Sequence, residues 1–185
     1  MVNTKRLLQE TMHNNMKREK NDFYSTPETM TEALLQHEFP EPVLIHEPAC
    51  GTGRMSKVLG SYNHRVISED LIDRGFGKHS RDFLLCQERP CDYLVTNPPF
   101  KLAEKFVTHA INLGYKRHAW LLRLSFLEGQ GRYNRLFTGH PFDICYVFSK
   151  RQTIWIGEDK PTSTGTTAYA WFVWGKESKQ RIEWI

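Results

Sequence analysis

The chain has 185 residues, a formal net charge of +4 and 39% hydrophobic residues. That length and composition fit one globular domain with a real core and exclude a low-complexity chain. Four cysteines, at positions 50, 86, 91 and 145, show neither a CxxC pair nor a zinc spacing. Reduced thiols are therefore expected and a metal site is not. No secretory signal opens the sequence, and no apolar run approaches the roughly 20 residues of a membrane helix, so a cytoplasmic protein without membrane contact is the expectation.

Residues 1–20 are polar and basic, with Leu7, Leu8, Met12 and Met16 at helical spacing, and read as an N-terminal arm. A single domain, residues 21–185, follows. Thr26 suits an N-cap and Pro27 the first position of a helix running to about Gln36, closed by Pro40 and Pro42. Val43 to His46 is a short apolar strand. A glycine-rich turn leads from it into a helix over Arg54 to Leu59, ended by Gly60. Residues 65–68 are a second strand and residues 81–85 a short third. The segment from Cys91 is a fourth strand that stops at Pro98 and Pro99. Residues 101–114 form an amphipathic helix with Leu102, Phe106, Ala110 and Leu113 on one face. Three more strands are expected over residues 118–129, 143–150 and 166–176. Strands alternating with helices, then strands alone, predict an α/β Rossmann-like sheet of seven strands, mixed at its edge, with helices on both faces. Residues 157–167 form an exposed loop; closure over a substrate and simple mobility are both open.

The turn after the first strand is Ala49-Cys50-Gly51-Thr52-Gly53. Gly51 and Gly53 let the backbone bend tightly and approach a ligand. A nucleotide-binding turn expects an acid about 20 residues on; Asp70 lies 17 residues after Gly53, with Glu69 as competitor. Asp70 is preferred for the ribose hydroxyls. The full dinucleotide fingerprint is absent, because Ser56 stands at the third glycine position. Glu47, at the strand tip, would repel a pyrophosphate and tolerate a cationic nucleoside such as S-adenosylmethionine. Asp82 and Phe83 follow the third element and suit an adenine amino group and ring.

Asn97-Pro98-Pro99-Phe100 is the sharpest signal. Two prolines make a rigid exit with no amide donors. The Asn97 side-chain carbonyl and the Pro98 backbone carbonyl are two acceptors for one amino group, and Phe100 offers a face for a base. This suits methylation of a weakly nucleophilic ring amine by positioning, without a strong general base. His46 and Trp155, Trp171, Trp174 and Trp184 read as packing residues.

On these residues the chain resembles the amino-methylating DNA methyltransferases, especially small adenine-specific enzymes of phages and prophages, including those of restriction-modification systems. The matching pieces are DFYSTPE, EPACGTGRM, the acids of VISEDL, RDF, NPPF and TAYAWFVW, spread over residues 21–175. The resemblance implies the S-adenosylmethionine-dependent methyltransferase fold. It implies that Tyr24, Thr26 and Pro27 line the methionine side, that Glu47, Ala49, Gly51 and Gly53 cradle the cofactor, and that Asp70 takes the ribose. Asp82 with Phe83 would take the adenine, and Asn97, Pro98, Pro99 and Phe100 the target. Glu47 replaces the commoner Asp. A large target-recognition region is missing, so specificity is short, relaxed or supplied by a partner subunit.

From Lys101 to Arg135 there are seven Lys or Arg and two acids. Lys101, Arg123, Arg132 and Arg135 are the candidate phosphate contacts. DNA is the expected partner. Methylation of RNA, methylation of a protein glutamine amide, and a non-catalytic binding module are the alternatives.

Overall fold

The computed structural model describes residues 24–156, 165–175 and 179–185. The expected arm and most of the 157–167 loop lie outside those residues.

Seven strands form one sheet: β2 (Leu44–Glu47), β3 (Arg65–Ser68), β4 (Tyr93–Thr96), β5 (Arg117–Arg123), β6 (Ile144–Val147), β8 (Tyr169–Trp174) and β9 (Arg181–Trp184). Their spatial order is β3-β2-β4-β5-β8-β6-β9. The first four are parallel, β8 runs antiparallel to both its neighbours, and β6 pairs parallel with β9. A separate two-stranded ribbon joins β1 (Tyr24–Ser25) to β7 (Trp155–Ile156). Helices α1 (Glu28–Leu35) and α2 (Arg54–Ser61) cover one face of the sheet and α3 (Ala103–Asn112) the other.

The period-2 alternation of a strand builds the two cores. Ala119, Leu121, Trp171 and Val173 pack with Met30, Leu34, Met55 and Leu59 of α1 and α2. Trp120, Leu122, Phe172 and Trp174 pack with Phe106, Val107 and Ala110 of α3. Every residue of β8 is buried, which explains its run of aromatic and branched side chains. Trp171 spans two elements by donating its indole N–H to the Met30 carbonyl at 2.7 Å.

Among the described residues the main sheet has seven strands as expected, but the set differs. Residues 81–85 are not a strand. Asp82 accepts from the Leu84 amide at 2.9 Å, which draws the backbone into a 3-10 turn over Phe83–Leu85. Arg181–Trp184 supplies the seventh strand instead. The fifth strand ends at Arg123, where the chain tightens into a 3-10 turn over Leu124–Leu127. Helix α2 runs through Gly60 to Ser61 and is released by Asn63, whose φ is +66°. Trp155, Trp171 and Trp174 are buried, whereas Trp184 is 69% exposed on the edge strand.

At the end of the sheet opposite the glycine turn, Arg117 reaches Glu38 at 2.9 and 2.5 Å and also bonds Asp143, while Tyr146 donates to Glu38 at 3.0 Å. All four side chains are largely buried. Removing one member of such a cluster strands the opposite charge in the core. Arg117→Met is therefore expected to lower stability by about 3–5 kcal/mol in urea unfolding at pH 7. Adding Glu38→Gln should recover part of that loss.

Candidate active site

The carboxyl ends of β2, β3 and β4 open on a cleft of about 240 Å³. Parallel strands place their ligand sites at this end of a sheet. Of the residues singled out from sequence, Tyr24, Thr26, Glu47, Ala49, Gly51, Asp70, Asp82, Phe83, Asn97, Pro98 and Pro99 all line it. Pro27, Gly53 and Phe100 stand just outside the lining. Thr26 is not a helix cap: α1 begins one residue later, after Pro27, and the Thr26 hydroxyl serves Asn97 instead.

The glycine turn is held from β3. Asp70 accepts from the Gly51 amide at 2.8 Å with one oxygen and from the Ile72 amide at 2.9 Å with the other. A carboxylate has about four acceptor sites, so Asp70 can fix the turn and still accept from a ligand. Gly51 and Gly53 have φ of +56° and +81°. The need for glycine at 53 is also steric, since a Cβ there would lie 2.3 Å from the Phe76 ring. Asp82 caps its turn while lining the cleft, and Phe83 is a core residue whose ring meets Phe106 at 5.1 Å and His46 at 5.9 Å. Glu69 is drawn away from the cleft: it pairs with the buried His46 at 3.2 Å and with Arg81 at 3.4 Å. His46 also meets the Tyr115 hydroxyl at 2.6 Å, so it is a packed strand residue.

Glu47 is 2% exposed and accepts from the Ser56 hydroxyl, which also lies 2.6 Å from the Ser68 hydroxyl. Burial pushes the Glu47 carboxyl up to about 8, against the pull of Ser56. Sequence reasoning noticed Ser56 only as a missing glycine. Its place on the first turn of α2, facing a strand-end acid, was the signal available.

Asn97 follows the last residue of β4. Its Nδ2 donates to the Thr26 hydroxyl at 2.9 Å. Its Oδ1 is buried and has no hydrogen-bond partner among the described residues. Such orphaned acceptors are rare and costly. Phe100 starts a 3-10 turn ahead of α3, and its ring is met by Tyr24 at 5.0 Å, Tyr169 at 5.7 Å and the Arg123 guanidinium at 4.8 Å.

The basic residues divide. Lys101 is exposed. Arg132 donates to the Phe126 and Glu128 carbonyls, both at 2.8 Å, and covers the Phe126 ring at 4.2 Å. Arg135 grips Glu104 with bonds of 2.8 and 3.1 Å. Both are thus committed within the protein, and Arg123 lies against the Asn-Pro-Pro-Phe motif. Arg54, Arg74 and Arg81 line the cleft and were missed; for the last two the pattern RGFGKHSR after Asp73 carried the hint. Among the described residues no cluster of His, Cys, Asp or Glu could hold a metal, and no helix is long and apolar enough to cross a membrane.

No family model matches this sequence, and no curated protein does. Solved structures do match in fold. A putative RNA methyltransferase from Pyrococcus horikoshii is 15% identical, with a TM-score of 0.63, over 83% of this chain and 86% of that one. A modification subunit of a putative type I restriction enzyme from Vibrio vulnificus is 13% identical, with a TM-score of 0.56 over 90% of this chain. The present chain spans only 47% of that subunit's length. Magnesium protoporphyrin IX methyltransferase from Synechocystis, solved with bound S-adenosylmethionine, is 12% identical with a TM-score of 0.51, over 78% of this chain and 75% of that one. The chain has the fold of the S-adenosylmethionine-dependent methyltransferases.

Proposed function

We propose that the chain binds S-adenosylmethionine in this cleft and directs its methyl group to the exocyclic amino group of adenine in DNA. The observation that carries the reading is the Asn97 amide. Thr26 takes its donor end, and its acceptor end is left buried without a partner beside two prolines that carry no N–H. An amino group is the ligand that such an acceptor, with the Pro98 carbonyl next to it, would hold.

When bound, S-adenosylmethionine supplies an electrophilic methyl group on a sulfonium. The residues of the cleft suit it. Gly51, held by Asp70, gives close backbone approach, and Asp70 has capacity for the ribose hydroxyls. Asp82 and Phe83 suit the adenine, and Glu47 lines the same cleft as an acid that a cationic ligand tolerates. An arginine of the rim suits the ligand's carboxylate. With the cofactor bound, the target amine would take the methyl group, the sulfur would keep the electrons of the C–S bond, and the amine's surplus proton would go to solvent. Asn97 contributes by fixing the amine's hydrogens so that its lone pair meets the methyl carbon.

Nucleic acid is favoured over a small molecule because Arg123 and Lys101 adjoin the Asn-Pro-Pro-Phe motif. A duplex would have to flip its base out to reach Asn97. The fold likeness to a restriction-modification subunit accords with a partner subunit that supplies target recognition.

The test is transfer of labelled methyl from S-adenosylmethionine to double-stranded DNA, single-stranded DNA and structured RNA. Label is expected in DNA adenine, reduced about 100-fold in Asn97→Ala with cofactor affinity by calorimetry unchanged. Label in RNA alone would replace the substrate and keep the chemistry. Binding of cofactor with no transfer to any of the three would overturn the reading.

Glu47 gives a second check, on the protein alone. Its folded-state value of about 8 lies above the ordinary 4.5, so the folded state holds this proton more tightly than the unfolded chain. The stability it contributes is full below about pH 4.5 and is lost as pH rises through about 8. Glu47→Gln is neutral at every pH, so its Tm relative to the parent should climb between about pH 5 and 8 and level off above that. A constant difference would show that Glu47 is ionised throughout.

A further inference from the structure

Arg123 is the last residue of β5 and stands opposite Tyr169, the first residue of β8. Strand alternation puts it on the same face as Ala119 and Leu121, the face against which Phe100 and Tyr24 pack. Its guanidinium carbon is 4.8 Å from the centre of the Phe100 ring, with Tyr24 at 5.0 Å and Tyr169 at 5.7 Å from the same ring. Burial pushes the Tyr169 hydroxyl up, and the Arg123 charge works against that shift, so the guanidinium is felt by both aromatic residues. Arg132 and Arg135 are each paired with Glu104, whereas Arg123 rests on the Phe100 ring, hydrogen-bonds the Tyr169 hydroxyl and is otherwise exposed.

A guanidinium is planar, and it stacks on bases as it stacks on aromatic rings. Stacked bases stand about 3.4 Å apart, so a base held between the Phe100 ring and a guanidinium needs a gap of about 7 Å. The gap of 4.8 Å holds none. Arg123 is on an exposed strand end, so it can lift away by giving up its hydrogen bond to Tyr169 and without disturbing the core.

Resting on the methyl-transfer reading above, we infer that Arg123 is a stacking lid for the target base: its guanidinium lies on Phe100 and rises to cover the outer face of an incoming base. It is a binding residue for a planar ring and not a phosphate contact. The two roles ask for different chemistry. A lid needs a plane, and a phosphate contact needs only a positive charge.

The experiment uses a short single-stranded oligo-dA carrying a central 2-aminopurine, bound to the full chain in the presence of S-adenosylhomocysteine. Affinity and fluorescence quenching are measured across a salt series. Arg123→Lys keeps the charge and loses the plane; Arg123→Tyr keeps the plane and loses the charge; Arg123→Ala loses both. Lys and Ala variants are expected to weaken binding about tenfold and to lose most of the quenching, while the Tyr variant stays within about threefold of the parent. Rescue by Lys, with the salt slope falling by about 0.7 in the Tyr and Ala variants, would make Arg123 a phosphate contact and overturn the lid. Equal behaviour of all four proteins would overturn it too, while leaving methyl transfer by the parent intact. A parent that binds and methylates no nucleic acid would remove the substrate reading first and the lid with it. Matching Tm values across the variants separate these outcomes from misfolding.

Discussion

The hydrogen bond from the Asn97 amide to the Thr26 hydroxyl joins parts of the chain 71 residues apart. It fixes which end of the amide is free. Thr26 is 7% exposed and leads directly into α1, while Asn97 leaves the buried β4. The two anchors are rigid, so the orientation of the amide is decided by the packing of α1 on the sheet. The link works in the other direction as well. The segment around Tyr24 is drawn over the Asn-Pro-Pro-Phe motif, and Tyr24 thereby reaches Phe100.

Charge is arranged so that each acid near the cleft has its own task. Asp70 holds the glycine turn, Asp82 caps the turn at Phe83, Glu47 is shielded by Ser56, and Glu69 serves His46 and Arg81. Burial suppresses the charge of Glu47. The basic residues are arranged in the same divided way. Glu104, on the first turn of α3, binds both Arg132 and Arg135 and braces the helical segment that carries them against the helix following Phe100. What looked in sequence like a basic surface is partly an internal clamp.

The sequence made the local features legible. Gly51 and Gly53, the paired prolines and the alternating apolar residues each act within a few positions, so their meaning could be read without a partner. The strand-end placement of Asp70 and Asn97 followed from counting strands. What could not be read were the long-range choices. Thr26 is equally suited to cap a helix or to accept from a distant amide, and only the packing of α1 decides. Arg132 and Arg135 are as plausible on phosphate as on Glu104, a residue 31 positions before Arg135. The strand at Arg181–Trp184 alternates polar and apolar residues, but a run of four is too short to stand out, and its apolar members, Ile182 and Trp184, are exposed on a sheet edge rather than part of a core face. The 81–85 segment misled in the opposite sense, since its apolar residues fill a turn fixed by one aspartate.

The position of β8 bears on the order in which the molecule assembles. This strand lies at the middle of the sheet, between β5 and β6, yet it comes after both in the chain. During synthesis the parallel half, from β2 to β5, emerges first and can begin to form on its own helices. β6 emerges next without its sheet neighbour, because β8 must insert between it and β5. Until then β5 has no partner on that edge, and Trp120, Leu121 and Leu122 lack their cross-strand neighbours Phe172, Trp171 and Ala170. Pairings between strands distant in sequence form slowly in general, and unpaired strand edges are where aggregation starts. The cleft itself is lined mainly by residues from Tyr24 to Phe106, so its floor can be in place before the strand that completes the sheet arrives. The surroundings of Phe100 cannot, because Tyr169 and the cross-strand register that positions Arg123 both come with β8.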